Sequence, residues 1–288
     1  MKVLILGAGG LTGRYLVQEG VRRGFTIRAT NRQELDITRP DVAQETLAQE
    51  EVDAVINAAS VTSLEFCEEN PRVSRKANCD APEAWAKECG RKGVKFVHLG
   101  TDYIFDGKKQ SAYLPTDLAG PLSRYGKDKA EGEKRVMRAN PRALIVRLAW
   151  VFGHGGKTFM SQLPRILAEQ EVVELAGGRT GSCTYAGEAA RTIFDLLTVG
   201  AEGITHGVQS GQTTWKVFAE TAAKLMRARG KKVACREIRE IRQSQIAGMR
   251  VARPAFSPLD LSETERILGR KIPAWEIGLE EYLREIGC

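Results

Sequence analysis

The chain has 288 residues, of which 42% are hydrophobic and 27% charged, and its formal net charge is +7. This composition is that of a globular protein with an ample core in one large or two modest domains. No apolar run approaches the roughly 20 residues of a membrane span, and glycines break the apolar opening too early for a signal peptide. We therefore expect a cytoplasmic protein that begins at Met1 and has no membrane partner.

The first half of the chain alternates apolar segments with amphipathic ones. The apolar segments predict strands at 2–6, 25–30, 54–59, 94–100 and 143–150. The amphipathic segments predict helices at 12–23, 42–49, 66–75, 81–92 and 121–138. This alternation is typical of a parallel sheet with helices on both faces, so a doubly wound α/β fold is expected.

The pattern loosens after Trp150. Further helices are predicted at 159–169, 188–197, 217–229, 262–268 and 276–286, with a loop-rich stretch at 176–185 and a short strand near 204–208. We predict a first domain from residues 1–153 plus about 186–210, and a smaller substrate-binding lobe from about 154–185 and 211–288.

The basic residues are densest between Met226 and Gln243. This stretch lacks aromatic residues, and its glutamates recur among the arginines, which predicts a solvated helical face and no nucleic-acid partner. The positive net charge fits a cofactor or substrate that carries a polyphosphate.

Cysteine and histidine give no sign of a metal site. The three histidines are dispersed, and no C-x-x-C pair occurs, so no built-in metal is expected and the thiols are predicted to be reduced and packed as small hydrophobes. The six cysteines are residues 67, 79, 89, 183, 235 and 288.

A glycine-rich segment, GAGGLTG (7–13), follows the first predicted strand. Gly7, Gly10 and Gly13 permit a tight turn and a close approach of the backbone to a pyrophosphate, and the helix that begins here offers free N–H groups. At this place in a βαβ unit the pattern predicts a dinucleotide site. The first domain is then a Rossmann NAD(P)-binding domain.

The end of the second predicted strand bears on the choice of cofactor. It reads Thr30-Asn31-Arg32, with no acid until Glu34. An acid there would bind the 2′-hydroxyl of NAD, whereas Arg32 could hold a 2′-phosphate, so NADPH is favoured and NADH is the alternative. Asp36 and Ile37 follow closely enough to approach the adenine.

Tyr125 and Lys129 lie four residues apart in YGKDK, and therefore on one face of a predicted helix. A neighbouring ammonium favours the ionised form of a phenol, whose ordinary pKa is ~10. Such a pair suits a group that transfers a proton to or from an oxygen near neutral pH. An exposed pair without a catalytic role is the alternative.

Four motifs occur in the order GAGGLTG, NAAS (57–60), GTDYIFDG (100–107) and YGKDK. With them the chain resembles the extended short-chain dehydrogenase/reductases, and among these the dTDP-4-dehydrorhamnose reductase family, over nearly all of its length. VRLAWVFG (146–153) and RPAFSPLDLS (253–262) belong to the resemblance. It implies an NADPH-dependent oxidoreductase that reduces the C4 ketone of a nucleotide-diphospho-4-keto-6-deoxy sugar, in polysaccharide biosynthesis.

The resemblance also implies roles for individual residues. Tyr125 would protonate the sugar C4 oxygen, while Lys129 would lower the pKa of that tyrosine and bind the nicotinamide ribose. Thr101 would polarise the carbonyl, and Asp102 and Trp150 would border the sugar.

Cofactor contacts are implied at three places along the chain. Gly10, Leu11 and Thr12 would hold the pyrophosphate, Asp36 and Ile37 would bracket the adenine, and Ala58, Ala59 and Ser60 would line the cofactor channel. Arg253 is a candidate for a substrate phosphate, and a homodimer is left open.

Two segments depart from the family pattern. Pro115, in YLPTD, stands where the family commonly has glutamate, and the family's Gln-x-Gly-x-Pro-Thr stretch reads RTGSCT here, with Cys183 at the proline position. Both segments border the sugar pocket or the subunit contact, so they leave the identity of the sugar open.

Other functions found in the same superfamily are alternatives to the reductase. An epimerase would use the same threonine, tyrosine and lysine, and a non-catalytic NADP-binding subunit, like the regulatory subunit of methionine adenosyltransferase, would keep the tyrosine–lysine pair. A 4,6-dehydratase is disfavoured, because Tyr103 stands where that reaction needs a carboxylate.

Overall fold

The structure is a computed structural model that describes all 288 residues. Its strands are β1 (Lys2–Leu6), β2 (Thr26–Thr30), β3 (Ala54–Asn57), β4 (Lys95–Thr101), β5 (Leu144–Leu148), β6 (Val151–Phe152), β7 (Val172–Ala176), β8 (Thr180–Gly181), β9 (Thr184–Tyr185), β10 (Gly203–His206), β11 (Glu237–Ile241) and β12 (Phe256–Ser257).

Its α-helices are α1 (Leu11–Arg22), α2 (Val42–Gln49), α3 (Leu64–Glu69), α4 (Pro71–Arg75), α5 (Ala81–Lys92), α6 (Arg124–Ala139), α7 (Phe159–Glu169), α8 (Ala186–Thr198), α9 (Trp215–Ala228), α10 (Ser262–Leu268) and α11 (Trp275–Glu285). A π-helical turn, Lys76–Asp80, joins α4 to α5, and a 3₁₀ turn, Asp102–Ile104, follows β4.

Six parallel strands form the central sheet in the order β2-β1-β3-β4-β5-β10, so the predicted doubly wound α/β fold is confirmed. The direction of winding reverses between β1 and β3. In open α/β sheets such a switch point leaves a crevice at the carboxyl ends of the strands, where ligands bind. The segments that leave β1 and β3 here are the glycine loop and residues 58–60.

Successive side chains of β1 point to opposite faces of the sheet, so they belong to two different hydrophobic cores. Val3 and Ile5 pack against α1, α8 and the C-terminal helices, while Leu4 and Leu6 pack against α2 and α5. The cysteines are all free, and five of the six are buried, as predicted.

The predicted elements were wrong in three places. The helix expected at 66–75 is divided at Asn70, because proline at 71 disfavours a helical conformation in the residue before it. The loop expected at 176–185 contains β8 and β9. Residues 237–241 of the basic stretch form strand β11, parallel to the unpredicted β7, and are not helical.

Three two-stranded parallel pairs lie outside the central sheet: β6 with β9, β7 with β11, and β8 with β12. They connect segments that are far apart in sequence, so that Ser257 lies opposite Gly181. No helix is both long and apolar enough to cross a membrane.

Candidate active site

The glycine loop leaves β1 at the switch point of the sheet. Gly7 has a φ of +77°, and a Cβ on it would lie 2.6 Å from the backbone nitrogen of Ala59. A Cβ on Gly13 would strike the carbonyl oxygen of Gly7, so these two positions need glycine for space. Gly10 caps α1 without any side-chain hydrogen bond to the first turn, which leaves the N–H groups there available to an anion.

Leu11 and Thr12 are the first two residues of α1 and therefore belong to this open helix end. Gly9 and Gly10 are exposed beside it. The cradle thus combines tightly packed glycines below with uncapped N–H groups above, which fits a pyrophosphate.

The end of β2 lies beside the glycine loop, since the Ala8 amide donates to the carbonyl of Thr30 at 2.8 Å. Arg32 is exposed and makes no hydrogen bond within the chain. The Glu34 carboxylate instead accepts from the backbone amide of Asn31 at 2.9 Å. The accessible charge at this turn is therefore positive, which fits a 2′-phosphate better than a 2′-hydroxyl.

Asp36 is fixed by Thr38, whose amide and hydroxyl donate to its carboxylate at 2.9 and 2.8 Å. These hydrogen bonds lower the pKa of Asp36. Ile37 is buried next to it and lines a cavity of about 390 Å³ with Arg39 and Lys76.

Residues Ala58, Ala59 and Ser60 leave β3 on the other side of the crevice. The Ala58 amide donates to the carbonyl of Leu6 at 3.0 Å, and the Ser60 hydroxyl donates to the side chain of Asn78 at 2.7 Å. The side chains of these three residues are small, so this side of the crevice stays open and its backbone contacts the glycine loop.

Thr101 and Tyr125 approach each other at the carboxyl end of β4. Thr101 is the last residue of β4, and Tyr125 is in the first turn of α6, which Ser123 caps through its side chain. Both side chains are buried, and the Tyr103 ring packs edge-on against Tyr125 with centroids 5.9 Å apart.

The Lys129 side chain binds two residues of β4 in this structure. Its Nζ lies 3.0 Å from Nε2 of His98 and 2.5 Å from the carbonyl oxygen of Leu99. His98 is held in turn by the Asn57 side chain, at 3.2 Å from Nδ1. Burial lowers the pKa of Lys129 to about 8 and that of His98 well below its usual value.

The pKa of Tyr125 is raised in this structure, and a lowering by Lys129 stays a prediction. Burial raises the pKa of Tyr125, and the Thr101 hydroxyl only partly opposes the rise. Removal of the phenol from water is the largest cause, and the Lys129 nitrogen is meanwhile bound to His98 and Leu99.

Asp102 lies next to Thr101 and is enclosed by protein. It accepts hydrogen bonds from Ser257 at 2.7 Å and from Thr101 at 3.3 Å. Burial outweighs these bonds and raises the pKa of Asp102 to about 7. This carboxyl is therefore protonated in a large fraction of molecules near neutral pH.

Trp150 has a φ of +41°, in the left-handed region that non-glycine residues rarely adopt. It follows β5, and its indole packs edge-on against Trp215 with centroids 6.0 Å apart. A Cβ on Gly181 would lie 2.7 Å from this indole. Backbone strain of this kind persists only where surrounding packing fixes it, and it occurs preferentially at functional sites.

Sequence reasoning missed four residues that the fold brings to this region: Ser257, His98, Asn57 and Arg179. Ser257 belongs to the quoted RPAFSPLDLS segment and Asn57 to NAAS, so motif membership was the available signal. Arg179 begins the quoted RTGSCT segment, where the family has glutamine, and that departure was the signal available; no motif pointed to His98. No group of three or more His, Cys, Asp or Glu side chains is arranged to hold a metal ion.

The two departures from the family pattern occupy defined places. The Pro115 carbonyl accepts from Nη1 of the buried Arg147 at 3.0 Å. Cys183 is enclosed in the main core. Arg253, the candidate for a phosphate, donates to Glu65 at 3.1 Å.

A dinucleotide cradle at the switch point, with a threonine, tyrosine and lysine at the neighbouring strand end, defines an oxidoreductase of the extended short-chain dehydrogenase/reductase class. The family model described as the RmlD substrate binding domain matches residues 1–288. The chain belongs to this family.

Several relatives have names that agree with this assignment. A dTDP-4-dehydrorhamnose reductase of Mycobacterium tuberculosis is 34% identical over 216 residues, which cover 73% of this chain and 70% of that protein. The probable low-salt glycan biosynthesis reductase Agl14 of Haloferax volcanii is 31% identical, over 96% of this chain and 95% of that protein.

Solved structures resemble the whole chain. A dTDP-4-dehydrorhamnose reductase of Clostridium acetobutylicum has a TM-score of 0.91 at 26% identity, with full coverage of both chains. One from Bacillus anthracis, in complex with NADP, has a TM-score of 0.90 at 26% identity and covers 99% of each chain.

Proposed function

We propose that this protein reduces the C4 ketone of a nucleotide-diphospho-4-keto-6-deoxy sugar with NADPH. The observation that carries the proposal is the convergence of Thr101 and Tyr125 beside a dinucleotide cradle. The names of the relatives and the NADP complex of the Bacillus anthracis enzyme support it. Such a reaction belongs to dTDP-rhamnose and polysaccharide biosynthesis.

The cofactor would lie across the switch point. Gly7, Gly10, Leu11, Thr12 and Gly13 would hold its pyrophosphate. Arg32 would bind the 2′-phosphate, Asp36 and Ile37 would border the adenine, and Ala58, Ala59 and Ser60 would line the channel towards the nicotinamide. Bound there, NADPH would supply the hydride; NADH would lack a partner for Arg32.

The residues of the chain would handle the oxygen and its proton. Thr101 would donate a hydrogen bond to the carbonyl and polarise it, and Tyr125 would give its proton to the C4 oxygen. A phenol with a raised pKa stays protonated at neutral pH, so it is available as an acid. Lys129 would leave His98 to bind the nicotinamide ribose and then support the phenolate.

Asp102 and Trp150 would form the sugar side of the site. The indole would give an apolar wall, and Asp102, protonated in part of the molecules near neutral pH, would border the sugar. We further propose that residues 154–185 and 211–288 make up the substrate-binding lobe. A cytoplasmic location and a homodimer stay predictions, which cell fractionation and light scattering would check.

Purified protein with NADPH and a dTDP-4-keto-6-deoxyhexose should lose absorbance at the reduced-nicotinamide band. Tyr125→Phe should slow this loss by roughly 100-fold or more, the usual contribution of a positioned acid, with NADPH affinity nearly unchanged. Tyr113→Phe is the matched control, since that phenol donates its hydrogen bond to Asp106 and has no assigned role in the reaction. Screening dTDP-, GDP-, UDP- and CDP-4-keto sugars would identify the base.

The alternatives give different results. NADPH binding without turnover of any 4-keto sugar nucleotide would favour the regulatory-subunit function. Conversion of a sugar nucleotide without net NADPH consumption would favour an epimerase. Full turnover in Tyr125→Phe would eliminate the assigned acid.

A further inference from the structure

Arg179 is a buried cation without an anionic partner. Its residue surface is 8% exposed, yet no carboxylate lies within 4.0 Å of its guanidinium. Its one hydrogen bond within the chain goes from Nη2 to the side-chain oxygen of Gln243, and its guanidinium lies 5.6 Å from the ring centroid of Trp215. Both of these partners are neutral.

The other enclosed guanidiniums are neutralised. Arg147, the only other buried arginine, is paired with the buried carboxylate of Glu133 at 2.9 Å. Arg253, whose side chain is 11% exposed, is paired with Glu65 at 3.1 Å. A buried charge is costly unless it is paired. No carboxylate of this chain pairs with Arg179, so the neutralising anion would have to come from a bound ligand.

The strand pairs place this cation on the substrate side of the site. Gly181 in β8 lies opposite Ser257 in β12, and Ser257 bonds Asp102 beside Thr101. Arg179 immediately precedes β8 and lies two residues before Gly181, a separation of about 7 Å for extended backbone. Arg179 is thus set apart from Thr101, which would bind the carbonyl. In a sugar nucleotide the C4 carbonyl and the phosphate at C1 are likewise at opposite sides of the hexose ring.

Arg179 also keeps donors available. A guanidinium carries five N–H donors, and only one hydrogen bond within the chain uses them. The guanidinium nitrogens that make no hydrogen bond are not fully enclosed by protein. A ligand can therefore reach these free donors. The ring of Trp215 lies next to it, and Trp150 packs edge-on against that ring.

We propose that Arg179 binds the diphosphate of the sugar-nucleotide substrate. The inference rests on the proposed function and adds a residue that sets affinity for the anionic part of the substrate. A guanidinium can bind phosphate oxygens through two parallel hydrogen bonds. Arg179 is the first residue of RTGSCT, where the family stretch begins with glutamine, so this charge distinguishes the chain from the family pattern.

The test measures binding of dTDP, UDP, GDP and CDP by calorimetry in the presence of NADPH, and continues with the diphosphate bound most tightly. Arg179→Gln should weaken binding of that diphosphate by about tenfold or more, and Arg179→Lys should weaken it by less. Arg250→Gln is the matched control, because that exposed arginine pairs with Glu69 on the surface. Affinity for NADPH should be the same in all four proteins, which reports on folding.

Salt provides a second readout. The affinity of the wild type for the diphosphate should fall with added salt, and the fall should be smaller in Arg179→Gln, because one screened attraction is gone. In kinetics the same variant should raise KM with kcat little changed.

Three results would overturn the assignment: unchanged diphosphate affinity in Arg179→Gln, a loss of affinity with unaltered salt dependence, or no binding of any diphosphate. The proposed function is judged separately by wild-type turnover. Diphosphate binding that depends on Arg179 without turnover of a 4-keto sugar would reject the reductase and leave the anion site standing.

Discussion

Replacement of Asp102 by asparagine should change how stability depends on pH. The enclosed carboxyl has a pKa of about 7 against an ordinary 3.8, because burial outweighs its hydrogen bonds. The native state therefore binds this proton more tightly than the unfolded chain. The stability that this group contributes is complete below the ordinary pKa and is lost as the pH rises through about 7.

The difference between the two pKa values corresponds to roughly 4 kcal/mol in the free energy of unfolding once the pH is well above 7. Asparagine cannot ionise and has nearly the shape of the protonated acid, so Asp102→Asn escapes this loss. The gap in stability between variant and wild type should widen by roughly 3 to 4 kcal/mol from about pH 4 to about pH 8. If the asparagine amide lowers the free energy of unfolding by a fixed amount at every pH, that amount cancels in this comparison.

Urea denaturation followed by circular dichroism at four pH values would measure the gap. Asp41→Asn is the control, since Asp41 is exposed and its replacement should leave the gap nearly flat. A pH-independent gap for Asp102→Asn would refute the reasoning. It would mean that the hydrogen bonds from Ser257 and Thr101 hold an ionised carboxylate at no net cost.

Three further substitutions test other parts of the site and core. Gly13→Ala should abolish NADPH binding in titrations, because a methyl group there strikes the glycine loop; unimpaired binding would count against the cradle. Gly181→Ala should displace the Trp150 indole, seen as a shift in tryptophan fluorescence with a raised KM for the sugar nucleotide, and an unchanged spectrum and KM would contradict the contact. Glu133→Gln should cost about 3–5 kcal/mol in urea denaturation by stranding the Arg147 charge, while a second change of Arg147 to methionine should recover most of it; an additive pair of losses would disprove the pairing.

Local patterns were enough for the strands and helices of the first half. KVLIL, for example, reads as a buried strand, and YGKDK places Tyr125 and Lys129 on one helix face, because both features depend on periods of two and 3.6 residues. The same rule failed at 237–241. Ile238 and Ile241 have helical spacing, yet the segment pairs with β7, a partner about 65 residues away, as an edge strand.

The sequence by itself determined the fold class, and its short motifs predicted the glycine cradle and the Thr101–Tyr125–Lys129 set, which stay predictions. Only the tertiary structure decided the environment of these groups. It joined Ser257 to Asp102 across 155 residues, turned Lys129 towards His98, and left Arg179 buried without a carboxylate. The physical reason is that pKa and charge compensation depend on burial and on neighbours brought together by long-range strand pairing, which no local pattern specifies.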